Sequence, residues 1–297
     1  MKAAVIGAAG FLGSALTKRL VEDGHNVIAF DVMVPQSQEQ GVSYSVLDVL
    51  TEEVDLPSGI DAVFYLAQSP HYRDFPGYMD HLFGVNTFGL IKAAKASLEK
   101  KVKFLCYAST GNVYSPSFLP LEEKHPVRRD NPYVLSKVMA EEILDLLDGA
   151  VNFLSVRLFG LFGPGQRGML PSKIEESVRS QKKIYLEPSP TDPKDDGGLR
   201  VSFMFVKDTA DCLARLAQLG VEGALLPTRL NVAGKEAITI RRFAETVGKI
   251  LGKKPIFKKT DQPRKFDLIA DISHLVELVK PAFTPFEEAV NNTLTHR

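Results

Sequence analysis

Tyr133 and Lys137 stand four residues apart in Tyr133-Val134-Leu135-Ser136-Lys137. On a helix that spacing brings a phenol and an ammonium onto one face, one turn apart. A nearby cation favours phenolate over phenol, so the pair predicts a tyrosine whose pKa falls from about 10 toward the range of a general base. Pairs of this kind also arise by chance on helix surfaces, so its meaning depends on its neighbours. Ser109-Thr110, a pair of hydroxyl residues, closes an apolar run upstream. At the N-terminus, Gly7-Ala8-Ala9-Gly10-Phe11-Leu12-Gly13 lies between a strand-like and a helix-like segment. Glycines there keep the turn tight and let backbone approach a pyrophosphate, whose charge meets the N-terminus of the following helix.

Asp31 ends the second strand-like run, where a carboxylate accepts hydrogen bonds from an adenosine ribose diol. The same carboxylate repels a 2′-phosphate, and Val32 and Met33 bring no cation to offset it, so NAD is expected over NADP. Asp48, before Val49 at the end of the third run, either accepts from an adenine amino group or caps a turn. Leu66 ends the fourth run, and the small Ala67 after it leaves room for backbone to pass close to the ribose.

These residues need a scaffold, and the chain spells one. Strand patterns at Lys2 to Ile6, Asn26 to Phe30, Val42 to Val46, Ala62 to Leu66, Lys103 to Tyr107 and Asn152 to Arg157 alternate with helix patterns reaching Glu22, spanning Asn86 to Leu98 and running from Tyr133 to Leu147. Such alternation predicts an α/β fold, a Rossmann-like doubly wound parallel sheet. After Arg157 the rhythm changes, with loops rich in Gly, Pro and Asp at Gly160 to Gly168 and Glu187 to Gly198. Strand returns at Val201 to Val206, and helices at Thr209 to Leu219, Ile240 to Leu251 and Pro285 to Leu294. We therefore expect residues 1–158 to form a nucleotide-binding domain, its sheet completed by about 201–232. Residues 159–200 and 233–297 would form a smaller, interleaved C-terminal substrate-binding lobe.

Composition narrows the function. The 297 residues are 44% hydrophobic, enough for a sizeable core, and 36 basic residues balance 36 acidic ones. Zero net charge argues against nucleic acid or an anionic membrane as partner, and no apolar run is long enough to span a bilayer. Cys106 and Cys212 sit in apolar runs and read as buried thiols without metal-ligand neighbours. The acidic loop Glu187 to Gly198 lacks the order of a calcium loop, so no metal is expected. With no signal peptide in evidence, a cytoplasmic location is expected.

Taken together, the motifs bring a family into view. The chain resembles the extended short-chain dehydrogenases/reductases, the NAD-dependent sugar-nucleotide epimerase/dehydratase group typified by UDP-glucose 4-epimerase. Matching segments include Gly7-x-x-Gly10-x-x-Gly13, Asp31, Asp48-Val49, Leu66-Ala67, Val85-Asn86-Thr87, Ser109-Thr110-Gly111-Asn112-Val113-Tyr114, Tyr133-x-x-x-Lys137 and Phe205-Val206-Lys207-Asp208. The resemblance implies that Tyr133 removes a hydroxyl proton as hydride leaves the adjacent carbon for NAD. It implies that Lys137 lowers the tyrosine pKa and binds the nicotinamide ribose, that Thr110 holds the reacting oxygen with Ser109 as a second candidate, and that Asn86 braces the backbone. Dehydratases of the group carry Asp-Glu after the Thr, and decarboxylating relatives a Glu. Gly111 and Asn112 cannot shuttle a proton, which leaves redox chemistry without elimination, such as epimerisation through a transient ketone. A nucleotide sugar as substrate and a homodimer, with helices after Asn86 and Tyr133 at its interface, are further expectations of the resemblance.

The match is incomplete on the substrate side. Gly160 replaces an Asn whose amide contacts the nucleotide diphosphate in epimerases of the group. The segment Gln68-Ser69-Pro70-His71-Tyr72-Arg73 departs from the usual small residues, so Gln68, His71 and Arg73 are either substrate contacts or solvated loop residues. Arg200 and Arg264 are candidate anion clamps, the latter within a lysine-rich stretch that also reads as ordinary surface. These departures keep open a smaller, non-nucleotide alcohol as substrate and, more remotely, a dinucleotide-binding protein without catalysis.

Overall fold

The computed structural model describes residues 1–297 except 36–38, 148, 150, 193 and 296–297. A seven-stranded, wholly parallel sheet forms its centre, in the order β11-β6-β5-β4-β1-β2-β3. Its strands are β1 (Lys2–Ile6), β2 (Asn26–Asp31), β3 (Val42–Val46), β4 (Ala62–Tyr65), β5 (Phe104–Thr110), β6 (Asn152–Leu158) and β11 (Arg229–Val232). Strands β1, β4 and β5 are apolar and almost wholly buried, as expected where helices cover both faces. Helices α1 (Phe11–Glu22) and α6 (Val206–Val221) cover one face, with Leu16, Leu20, Leu213 and Leu216 packed on Val5, Phe64 and Cys106. Helices α3 (Gly89–Glu99) and α4 (Pro132–Asp145) cover the other, placing Leu90, Ala93, Ala140 and Leu144 on Tyr65, Leu105 and Tyr107.

The helix pattern expected at Asn86 to Leu98 is one part of a longer composite. Helix α2 (Met79–Phe83) runs through a π-turn at Gly84–Phe88 into α3. Two buried tyrosines hold the π-turn, Tyr65 donating to Val85 O at 2.5 Å and Tyr107 to Asn86 O at 3.4 Å. A side chain at Gly89 would meet the Tyr65 hydroxyl at 2.1 Å, so that glycine leaves room for the clamp. π-turns frequently occur at functional positions because they re-aim one residue of a helix; here that residue is Asn86.

The second half departs from expectation at one point. Val201 to Val206 is not a single strand of the central sheet. Its parts are β9 (Arg200–Val201), paired with β12 (Ile238–Thr239), and β10 (Met204–Phe205), paired with β7 (Leu161–Phe162). The run is too short and too fully apolar on both faces to distinguish these arrangements in sequence. Around it, β8 (Lys183–Leu186) pairs with β13 (Ile256–Lys259), and helices α5 (Leu170–Arg179), α7 (Ile240–Leu251), α8 (Ser273–Val279) and α9 (Phe286–Thr295) complete the chain. Phe162, Phe203, Phe243 and Phe286 form a separate aromatic core, with ring centroids 4.9–6.4 Å apart.

Candidate active site

The strands of the parallel sheet all end on one edge, and each contributes a residue there. At the end of β1, Gly7 adopts φ +90°, and a side chain on it would meet Ala67 N at 2.6 Å. A Cβ on Gly13 would lie 2.0 Å from Gly7 O, so loop and helix approach as only glycines allow. Gly10 caps α1 with no side-chain hydrogen bond, and the first turn, starting at Phe11 and Leu12, carries no acidic residue. The helix terminus thus keeps a positive end suited to phosphate. Asp31, ending β2, accepts from Ala9 N through Oδ2 at 2.8 Å, which ties the carboxylate to the glycine loop. Glycine cradle, uncapped helix terminus and strand-end carboxylate together fit a dinucleotide.

Asp48 and Val49 are engaged otherwise. Asp48 Oδ1 accepts from Leu50 N at 2.9 Å, capping a turn, and Val49 is buried with its carbonyl bound by Lys92 Nζ at 2.8 Å. Leu66 extends the β1–β4 ladder by donating its N–H to Ile6 O at 2.8 Å. Asn86, fully buried, accepts from Ser69 N at 3.0 Å and donates to Ser136 Oγ at 2.9 Å. It thereby links the loop after β4 to α4, the helix carrying Tyr133 and Lys137.

Helix α4 begins with an N-cap, Asn131 Oδ1 accepting from Tyr133 N and Val134 N, followed by Pro132 at a position that tolerates its missing N–H. This capping starts the helix one residue before Tyr133 and points the phenol toward the end of β5. Its hydroxyl donates to Gln68 Oε1 at 3.2 Å, and Tyr72 packs 5.2 Å from its ring. Tyr133 as a whole is half-buried. Burial pushes that hydroxyl up to about 12; Thr110 opposes the shift by hydrogen bonding, and Tyr72 adds to it.

Lys137 does not hold the phenol down as expected. Its Nζ donates to Ala108 O at 2.8 Å and stands 5.0 Å from the Tyr107 ring centroid, and the side chain is buried. Burial lowers its pKa to about 7, with Glu141 opposing, because an ammonium out of water is costly. A cation close to neutrality and committed to a carbonyl is a weak electrostatic partner for the tyrosine.

Ser109 is likewise engaged away from Thr110. Its hydroxyl donates to Glu141, which also accepts from Arg157 Nη2 at 2.6 Å and Arg229 Nε at 3.0 Å. Burial would raise Glu141, but Arg157 first, then Ser109 and Arg229, hold its carboxyl below the ordinary range. Nothing in the motif spacing showed this buried ion cluster, although Arg157 closes the strand-like run Asn152 to Arg157.

The substrate-side candidates divide. Gln68 reaches the Tyr133 phenol. His71 stacks on Tyr78 at 3.9 Å and pairs with Asp74 at 3.1 Å, while the Arg73 guanidinium covers the Tyr72 ring at 4.8 Å. Gly160 is filled space, since a side chain there would meet Phe203 at 2.6 Å and Val201 at 2.8 Å. Arg200 and Arg264 come together, but on Asp267, with Arg200 Nη2 at 2.6 Å and Arg264 Nε at 2.8 Å. Arg264 also binds Asp195 at 2.5 Å, and its side chain is 1% exposed. Its partners are on the acidic loop and three residues downstream, so the lysine-rich surroundings gave no hint of burial.

Sequence reasoning passed over other residues here. Tyr72 OH touches Met169 Sδ at 3.4 Å, joining the loop after β4 to the start of α5 beside Tyr133. Asn112, Ser115, Arg128 and Phe266 line a pocket next to Gly111. Among the described residues there is no group of three or more His, Cys, Asp or Glu able to hold a metal, and no helix long and apolar enough to cross a membrane.

Comparison with known proteins places this geometry in context. The model of the NAD dependent epimerase/dehydratase family matches residues 3–233. An uncharacterized UDP-glucose epimerase of Bacillus subtilis, YtcB, is 24% identical, with 100% of this chain and 98% of that protein covered. A 2-alkyl-3-oxoalkanoate reductase of Stenotrophomonas maltophilia is 29% identical, covering 62% of this chain and 58% of its own. Among solved structures, the Thermus thermophilus UDP-glucose 4-epimerase in complex with NAD superposes with a TM-score of 0.79 at 22% identity, covering 100% and 98% of the two chains.

Proposed function

The chain belongs to the NAD-dependent epimerase/dehydratase family, and on that premise we propose that it is an NAD-dependent epimerase or dehydrogenase acting on a carbinol carbon of a nucleotide sugar through a transient ketone. The observation that carries this reading is the convergence of Thr110, Tyr133 and Lys137 on the sheet edge that also bears the glycine cradle and Asp31. Gly7, Gly10, Gly13 and the first turn of α1 would hold the diphosphate, Asp31 the adenosine ribose, and Lys137 the nicotinamide ribose.

NAD⁺, when bound, supplies the hydride acceptor and a positive charge. Tyr133 takes the carbinol proton, and Thr110 donates a hydrogen bond to the oxygen as it becomes a carbonyl. Once the keto group has rotated to present its other face to the cofactor, Tyr133 would return the proton to the same oxygen, and the centre would be inverted. Gly111 and Asn112 offer no acid or base for expelling a leaving group, so the ketone stays intact. The expected homodimer fits the same reading: Phe88 and Leu146, 59% and 84% exposed, lie on the π-turn leading into α3 and at the end of α4.

A smaller, non-nucleotide carbinol is the second reading, favoured by Asp267 and Asp195 neutralising Arg200 and Arg264 and by the filled space at Gly160. Thermal-shift titration with NAD and a panel of UDP-, GDP- and dTDP-sugars separates the two. The first reading predicts a rise in Tm with at least one of these sugars beyond that with NAD alone. No rise with any of them overturns it in favour of the second.

A further inference from the structure

Thr110 is described above as the donor to the reacting oxygen, yet a hydroxyl is equally able to accept, and something must decide which it does. The hydroxyl carries one hydrogen and two lone pairs. Both Asn112 N and Asn112 Nδ2 lie 3.2 Å from Thr110 Oγ1, and both donate to it. We infer that Asn112 is a positioning residue: by filling both lone pairs of Thr110 it leaves the hydroxyl hydrogen as the one group Thr110 can present toward Tyr133 and the oxygen held there.

The turn is built to keep this arrangement. Thr110 is the N-cap of the short helical turn Gly111–Val113, so the backbone contact is part of the fold. A side chain on Gly111 would meet the Phe159 ring at 2.8 Å, which locks the glycine against β6's extension. Arg128 Nε donates to Asn112 O at 3.2 Å and fixes the residue from the other side. On the receiving side, the Tyr133 phenol donates its own hydrogen to Gln68 Oε1 at 3.2 Å, which leaves its oxygen lone pairs open to a donor, and Thr110 opposes the rise that burial imposes on it. The other titratable groups that interact electrostatically with the phenol are Tyr72, from the loop after β4, and Tyr107, on β5; Lys137, one turn along α4, is bound to Ala108 O. A residue unable to move protons thus has work at this position. It sets the polarity of the hydrogen bond to the oxygen that gains negative charge.

The inference rests on Thr110 and Tyr133 being the reacting pair of the proposed function, but not on which sugar they meet. Its test needs no substrate. 3,5-Difluorotyrosine placed at position 133 titrates within the folded range, and fluorine NMR of the NAD-saturated protein reads its pKa. Asn112→Asp keeps the shape but replaces the N–H donor with an acceptor that draws the Thr110 hydrogen to itself. This variant should raise the pKa by about one unit, a tenfold weaker acid, and Asn112→Ala by less, since the backbone N–H remains. Thr110→Val should raise it too, and in that background Asn112→Asp should add nothing. An equal shift in both backgrounds means a charge acting through space and overturns the inference. So does an unmoved Asn112→Asp beside a shifted Thr110→Val. If Thr110→Val itself moves nothing, the reading of the reacting pair fails as well.

Discussion

The Lys137 ammonium lies 2.8 Å from the carbonyl of Ala108, on the strand that ends in Thr110. Helix α4 and strand β5 are thereby joined near the C-terminal end of the strand, by a cation the interior holds at the edge of its charged range. The contact ties the helix to the strand, and burying the ammonium to make it carries a cost in stability.

That cost is measurable. The pKa of Lys137, about 7 in the folded protein, lies below its value of 10.5 in the unfolded chain. Between those values the unfolded state binds one more proton, so the contribution of this group to stability rises with pH from about 7 to 10. Below about pH 7 the buried charge costs on the order of 5 kcal/mol. Lys137→Met should therefore raise the urea midpoint at pH 6.5, with the advantage shrinking toward pH 9. A variant less stable than the parent at pH 6.5 would show that the Ala108 contact outweighs the burial cost.

Glu141 gives the opposite pH dependence. Its pKa is held below the ordinary carboxylate value by Arg157, Ser109 and Arg229, so its stabilisation is present above the unfolded pKa and lost as pH falls through the folded one. Glu141→Gln leaves Arg157 buried without its counter-charge and should cost about 3–5 kcal/mol at pH 7. The gap to the parent should narrow below about pH 4. Denaturant titrations at pH 7 and at pH 3.5 check both statements, and an unchanged midpoint at pH 7 refutes them.

Asp31 accepts from the glycine loop through one oxygen, Oδ2 from Ala9 N. With the adenosine ribose placed as proposed, its charge would repel a 2′-phosphate. Asp31→Ala should reduce the preference for NADH over NADPH by at least about tenfold, worth roughly 1.4 kcal/mol. Fluorescence titration of both nucleotides reads the ratio directly, and an unchanged ratio removes Asp31 from cofactor selection.

The legible parts of this molecule were those in which one residue type answers a local demand. The edges of β1 and α7 fall where apolar residues meet glycines and caps, and β3 shows as an alternation of Val, Ser and Tyr after Gly41. The glycine loop and the Tyr-x-x-x-Lys spacing could be read because backbone geometry alone forces them. What stayed hidden depends on partners far along the chain. The π-turn at Gly84–Phe88 exists because Tyr65 and Tyr107, twenty or so residues away, claim its carbonyls. Arg264 reads as a surface clamp until Asp195 and Asp267 close on it. Lys137 reads as an electrostatic helper until its Nζ is seen on Ala108. Side-chain commitments of this kind have no period and no fixed spacing.

The central claim is that Tyr133 is the proton acceptor in a hydride transfer, and Tyr133→Phe tests it most directly. The variant removes only the hydroxyl, so NAD should bind with its affinity unchanged within about threefold, a difference under 1 kcal/mol. On the sugar that shifts the parent, turnover followed by product analysis should fall by at least about a thousandfold, some 4 kcal/mol of transition-state stabilisation. Turnover equal to the parent, with NAD still bound, would contradict the assignment of Tyr133 as the base.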